Sequence, residues 1–85
     1  MFVQTQTTPN PNSLKFLPGK NVSNSGSYEI TEKNTVNNDL IRNVLSINGV
    51  TSLFLGSDFI SVNKKNDVTW EDLKHIVITL INEYY

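Results

Sequence analysis

Cysteine is absent from this 85-residue chain, and histidine occurs only once, at position 75. Without cysteine, the chain forms no disulfide, has no thiolate nucleophile and offers no thiolate ligand to a metal cluster. A single imidazole also falls short of the three or four side-chain ligands that a zinc site usually needs. These absences exclude most of the redox and metal chemistry that a small domain carries.

Long apolar runs and a strong net charge are also missing. No run approaches the roughly 18 residues of a membrane span, and the formal net charge is only -1. Such a charge creates no field that attracts phosphate backbones or acidic lipids, so we expect neither a nucleic-acid nor a membrane partner. The first residues lack the pattern of a secretory signal. We therefore expect a cytoplasmic protein, or a processed mitochondrial matrix protein if the cell is eukaryotic.

Alanine, the best helix former, is absent as well, so helices in this chain depend on packing and caps. Hydrophobic residues make up 38% of the chain, which is adequate for a globular core. A chain of this length buries only about 60 to 65% of the surface that it exposes when unfolded. We expect residues 1–85 to form a single domain with one modest core.

Strand patterns dominate what is present. Residues 2–7 resemble an edge strand, residues 14–17 a second strand, and Tyr28 and Ile30 stand at strand spacing in a polar segment. Residues 50–55 and 59–62 flank a three-residue Gly-Ser-Asp connection, which is typical of a β-hairpin at the centre of a core.

Two segments have helical spacing. Asn38 or Asp39 caps the first helix, and Gly49 is expected to end it. Thr69 and Asp72 have the spacing of a reciprocal capping box for the second helix. Its apolar stripe comprises Leu73, Ile76, Val77, Leu80, Ile81 and Tyr84. Together the patterns predict an α+β fold: a mainly antiparallel, four- to five-stranded sheet with two helices packed on one face.

No set of residues in the sequence has the composition of a catalytic centre. His75 lacks partners, and no serine stands in a Gly-x-Ser-x-Gly context. The acidic residues 67, 71 and 72 suit a helix N-terminus, and Lys64-Lys65 is interpreted as solvated charge at a strand end. The sequence therefore predicts a protein that is not an enzyme and has no catalytic or metal-binding residue.

The remaining candidate is an interaction surface. Two prolines one residue apart make residues 8–13 a stiff extended turn, in which Asn12 and Ser13 are expected to bond back to nearby backbone. Trp70 lies beside the apolar stripe, where it is either a plug at the edge of the core or an anchor for a partner. The loop itself is either a structural connection or a recognition element. The candidate partner contacts are Pro9, Asn10, Pro11, Asn12 and Trp70.

Three motifs together make a family recognisable: TPNPNSLKF at residues 8–16, GVTSLFLGSDFISV at residues 49–62 and WEDL at residues 70–73. In this order they resemble the amino-terminal domain of Nfu/NifU-type iron-sulfur cluster scaffold proteins, and the resemblance covers essentially the whole chain.

The resemblance implies a noncatalytic domain that aids partner docking in cluster assembly and delivery. In such proteins a separate carboxy-terminal domain with a Cys-x-x-Cys motif holds the iron-sulfur cluster, so no cofactor is expected in this chain itself. The implied partners are iron-sulfur assembly or recipient proteins, and a carboxy-terminal cluster-binding domain of the same native chain. The alternative is a stand-alone interaction adaptor with no cluster role.

Overall fold

The computed structural model describes residues 3–23, 28–32 and 38–85. In chain order, the elements are β1 (Gln4–Thr7), β2 (Ser13–Leu17), β3 (Tyr28–Ile30), α1 (Asp39–Leu45), β4 (Val50–Leu55), β5 (Ile60–Lys64) and α2 (Trp70–Tyr84). Phe2, expected to begin the first strand, lies outside the described residues. Neither of these two helices is long and apolar enough to cross a bilayer.

The five strands form one sheet in the order β1-β2-β5-β4-β3, and every neighbouring pair is antiparallel. Both helices pack against the apolar face of this sheet, so the predicted α+β architecture is confirmed. The predicted hairpin is present as β4 and β5, near the middle of the sheet. Its second strand begins at Ile60 and not at Phe59, because the Gly56 N–H still bonds to the Phe59 carbonyl within the connection.

The core lies between the sheet and the helices. Alternate residues of β2, β4 and β5 point toward the helices, as a strand period of two requires. These side chains are almost completely buried: Leu14, Phe16, Leu53, Leu55, Ile60 and Val62. The helices cover them with Leu40, Ile41, Val44, Val77 and Ile81. The opposite face of the sheet carries mostly polar residues.

α1 ends earlier than its sequence predicts. Asn38, one of the two caps that the sequence predicts, is the N-cap, and its side chain accepts a hydrogen bond from the Ile41 N–H at 3.1 Å. The helix ends at Leu45, where the hydrogen-bond spacing tightens: the Ser46 N–H bonds to the Asn43 carbonyl at 3.2 Å as well as to that of Arg42, and the Ile47 N–H bonds to the Val44 carbonyl at 3.1 Å. Gly49 therefore does not terminate the helix. With φ of 104° it forms the turn into β4, where an added Cβ would lie 3.0 Å from Val68 Cγ2.

The predicted capping box of α2 is wrong in its bonding. Thr69 is the N-cap, but its side chain accepts no hydrogen bond from the helix. Instead the Thr69 hydroxyl donates to the Asp72 carboxylate over 3.1 Å. The two residues of the predicted box therefore pair side chain to side chain.

The predicted stripe of α2 is broader than the face that packs on the sheet. Leu73, Val77 and Ile81, spaced four residues apart, are buried, whereas Leu80 is half-buried. Ile76 and Tyr84 are 45% and 47% exposed, so their assignment to the core is wrong. A line of i, i+4 positions follows one narrow ridge of a helix, and only this ridge meets the sheet.

Tyr84 and Tyr85 attach the end of α2 to two other segments. The Tyr84 hydroxyl accepts a hydrogen bond from the Asn38 side chain, and the Tyr85 hydroxyl lies 3.4 Å from the Asn21 carbonyl oxygen, to which it donates. The pKa of Tyr85 is raised, mainly because its hydroxyl is partly buried and to a smaller extent because of the charge of neighbouring Tyr84. These contacts connect the helix end to the start of α1 and to the segment that follows β2.

Candidate protein-docking site

The loop between β1 and β2 is closed by its own hydrogen bonds. The Ser13 N–H donates to the Asn10 carbonyl at 3.0 Å, and the Asn12 N–H donates to the Asn10 side chain at 2.9 Å. The Thr8 hydroxyl accepts from the Asn10 N–H and lies within 3.0 Å of two loop carbonyls. The side chains that close the turn are thus those of Thr8 and Asn10. The expectation that Asn12 and Ser13 would do so is wrong for their side chains.

Trp70 lies directly against this loop, although 59 positions separate it from Pro11. Its indole Nε1–H donates to the Pro11 carbonyl oxygen over 3.0 Å. Its ring packs on Phe16 with centroids 6.2 Å apart and planes inclined by 60°. The indole is half-buried: one edge covers the core and another reaches the loop. The structure therefore brings all five candidate contact residues onto one surface, which we name the proline-loop surface: Pro9, Asn10, Pro11, Asn12 and Trp70.

The side chain of Asn12 ties the loop to the end of β5. Lys64 Nζ donates to Asn12 Oδ1 at 3.0 Å, and the Lys64 N–H donates to the Asn12 carbonyl at 2.8 Å. The Asn12 amide also donates to the side chain of Asn66. Lys64 Nζ lies 5.7 Å from the centroid of the Trp70 ring, within range of a cation–π attraction. The loop is thus held on both sides, by Trp70 and by the end of β5.

Within the proline-loop surface, Pro9, Asn10 and Pro11 are exposed, while Asn12 and Trp70 are half-buried. The rings of Pro9 and Pro11 and the side chain of Asn10 face solvent, and the hydrogen bonds described above hold the loop that carries them. Its five residues include no acid–base pair and no nucleophile. His75, the single histidine, is exposed on α2 and is not one of the residues that bond to the loop.

Sequence reasoning missed the contribution of Lys64 and Asn66. Lys64 was interpreted as solvated charge, but it is half-buried and its ammonium group bonds to Asn12. The sequence contained only an indirect signal for this contact. Residues 14–17 and 59–62 both have strand patterns, and antiparallel pairing would place the start of the first beside the end of the second. A strand pattern does not specify which strand is its neighbour, so the sequence alone did not predict this pairing.

The indole hydrogen bond can be tested apart from the packing of the indole ring. We expect Trp70→Phe to lower the free energy of unfolding by about 0.5 to 1.5 kcal/mol, since it removes one hydrogen bond and keeps an aromatic ring on Phe16. We expect Trp70→Ala to lower it by about 3 kcal/mol, because the ring contact is also lost. Urea denaturation followed by circular dichroism measures both. Equal losses for the two variants would mean that ring packing contributes nothing.

The residues present do not fit an iron-sulfur cluster. The chain has no cysteine, and the part of it that the structure describes contains no group of three or more histidine, cysteine, aspartate or glutamate side chains placed to hold a metal. Thiolates are the usual ligands of such clusters. Any cluster handled together with this domain would have to be held by other residues.

Comparison with known proteins identifies the family. The family described as scaffold protein Nfu/NifU N terminal matches residues 3–85. NifU-like protein 5, mitochondrial, from Arabidopsis thaliana is 42% identical over the whole chain, which covers 31% of that relative. The NFU1 iron-sulfur cluster scaffold homolog, mitochondrial, from Homo sapiens is also 42% identical over the whole chain, which covers 34% of it. The chain thus spans about a third of the length of these curated relatives.

A solved structure agrees with this match. The solution NMR structure of a NifU-like protein from Saccharomyces cerevisiae superimposes with a TM-score of 0.83 at 34% sequence identity, covering 96% of this chain and 76% of that one. Its similarity extends to the five-stranded sheet and both helices. Sequence and fold therefore lead to one conclusion: this chain belongs to the family of Nfu/NifU scaffold protein amino-terminal domains.

Proposed function

We propose that this domain is the noncatalytic docking part of an iron-sulfur cluster scaffold and that it contacts partner proteins through the proline-loop surface. One observation carries the proposal: the Trp70 Nε1–H to Pro11 carbonyl bond joins residues far apart in sequence into one exposed surface. A strand connection alone needs no tryptophan from a distant helix.

Rigidity supports a docking role. The loop is closed by the Thr8 and Asn10 bonds and held from outside by Lys64, so its exposed prolines are already in one conformation. A preformed surface loses less conformational entropy on binding than a mobile loop does. Prolines and a half-exposed indole also offer rigid apolar contact area, which is typical of residues that dominate binding energy.

The class of partner follows from the family. Because relatives are named as iron-sulfur cluster scaffolds, we propose iron-sulfur assembly or recipient proteins as partners, together with a cysteine-bearing cluster domain in the same native protein. The cluster is then cargo, held by Cys-x-x-Cys residues outside residues 1–85, which form one domain. For the location we propose the mitochondrial matrix in a eukaryotic cell, in line with the mitochondrial relatives, and the cytoplasm otherwise.

Site-specific crosslinking in cells tests this proposal. A photo-reactive amino acid is placed at Asn10, which is exposed on the proline-loop surface, in the protein expressed from its native gene. We expect crosslinks to proteins that assemble or receive iron-sulfur clusters, identified by mass spectrometry. The matched control carries the same amino acid at Thr79, which is exposed nine positions beyond Trp70, about 13 Å along α2.

The comparison between the two positions decides the outcome. Crosslinks to iron-sulfur proteins from position 10 and not from position 79 support docking through the proline-loop surface. The same set of proteins from both positions, or proteins without any iron-sulfur role from position 10, would contradict it. If position 10 crosslinked only to proteins without an iron-sulfur role, the domain would be an interaction adaptor without a cluster role.

A further inference from the structure

The sheet face that points away from the helices carries one row of residues across all five strands. In pairing order the row consists of Gln6, Lys15, Ser61, Phe54 and Glu29. Lys15, Ser61 and Phe54 each lie between two buried strand neighbours, so these residues point away from the core. Lys15 on β2 and Glu29 on β3 carry opposite charges, and Ser61 and Phe54 lie between them.

An aromatic patch stands in the middle of this face. Phe54 is 38% exposed, and its ring stacks on that of Phe59 with centroids 6.3 Å apart and planes inclined by 24°. Lys15 Nζ lies 4.4 Å from the centroid of the Phe59 ring. Ser61, although outward-facing, is only 7% exposed. The two rings and the stem of Lys15 thus form one contiguous apolar area on the sheet face that the helices do not cover.

Gly56 is required for this arrangement. A Cβ at that position would lie 2.1 Å from the Phe59 ring, so only glycine lets the ring lie flat against the hairpin connection. The position of Phe59, and with it the stack on Phe54, is therefore built into the backbone.

The two charges that flank the patch have no ionic partner in residues 3–23, 28–32 and 38–85. The ion pair found there joins Arg42 to Asp39 on α1. Lys15 and Glu29 are three strand spacings apart, about 14 Å, which is too far for a direct contact between their charged groups. Among the described residues neither charge is neutralised by an ion pair, so a partner that brings the opposite charges at the same separation would complement both.

A second copy of the chain meets this requirement. A two-fold axis that runs parallel to the strands, between β5 and β4, places Lys15 of one copy opposite Glu29 of the other, and the reverse. The same axis brings the two Phe54–Phe59 stacks together in the middle. We propose that this outer sheet face is a self-complementary interface through which two copies of the domain pair face to face.

This interface is distinct from the proline-loop surface. β2 begins at the proline loop and runs away from it, and β5 returns toward it, so Phe59 lies at the other end of the sheet. A dimer formed through the outer face leaves Pro9, Asn10 and Pro11 of both copies exposed. It would present two docking surfaces at once, whichever partners they bind.

Charge exchange tests the proposal. We expect wild-type protein to show a monomer–dimer equilibrium by sedimentation velocity at concentrations up to about 1 mM, the range in which a weak interface associates. Lys15→Glu and Glu29→Lys should each weaken dimerisation by about tenfold or more. The two-fold axis creates two equivalent contacts between positions 15 and 29, and each single variant places like charges at both of them. The double variant exchanges both charges and should restore the dimer.

The controls separate a specific pairing from a general charge effect. Lys74→Glu and Glu71→Lys make the same charge changes on α2, which packs on the opposite face of the sheet, and they should leave dimerisation unchanged. Circular dichroism confirms that every variant is folded. Wild-type protein that stays monomeric at about 1 mM, a dimer unaffected by the single variants, or a double variant that fails to dimerise would each overturn the proposal.

Discussion

Ile81→Asp is expected to abolish cooperative unfolding. Ile81 has no exposed surface and lies where α2 packs on the sheet. Burying an unpaired carboxylate there costs about 4 kcal/mol or more. A chain of this length has a total stability of about 4 to 13 kcal/mol at the usual value per residue, so the loss equals the whole stability at the lower end of this range. Thermal denaturation followed by circular dichroism at 222 nm measures the effect.

Ile76→Asp on the same helix is the matched control. Ile76 belongs to the same stripe in the sequence, but it is 45% exposed. We expect its free energy of unfolding to stay within about 0.5 kcal/mol of the wild-type value, as for most surface substitutions. A normal transition for Ile81→Asp, or an unfolded Ile76→Asp, would mean that α2 presents a different face to the sheet.

Phe16→Ala is expected to have the next largest effect. Phe16 is completely buried in β2 and contacts the Trp70 ring. Its truncation leaves a cavity that the surrounding sheet cannot fill, and the expected loss is about 3 to 5 kcal/mol. The indole would also lose the ring on which it packs while it bonds to Pro11. We therefore expect weaker partner binding at the proline-loop surface as well as a lower midpoint in urea.

Phe54→Ala provides the comparison, measured at low concentration where the protein is monomeric. Phe54 stands on the other face of the sheet, where it is partly exposed and stacks on Phe59. Losing this contact should cost about 0.5 to 1.5 kcal/mol. If Phe54→Ala destabilised the protein as much as Phe16→Ala, the assignment of the two sheet faces would be wrong.

The predicted docking residues show how far sequence reasoning reached. The two prolines predicted a stiff loop, because proline restricts its own φ and the conformation of the residue before it. These are local effects that any chain context preserves. That Trp70 bonds to Pro11 was not predictable, since the contact depends on how α2 crosses the end of the sheet. That the surface binds a protein, and that residues 1–85 form one domain, stay predictions.

Local patterns in the sequence determined the two helices, the hairpin, a cap at Asn38 or Asp39 and the α+β class, because hydrophobic periodicity and capping act over a few residues. The family followed from the order of three short motifs. Tertiary structure alone decided which ridge of α2 is buried, which strands are neighbours and which side chains hold the proline loop. These outcomes depend on contacts between distant parts of the chain, such as the bond from Lys64 Nζ to the Asn12 side chain. Such contacts form only once the strands and helices have packed together.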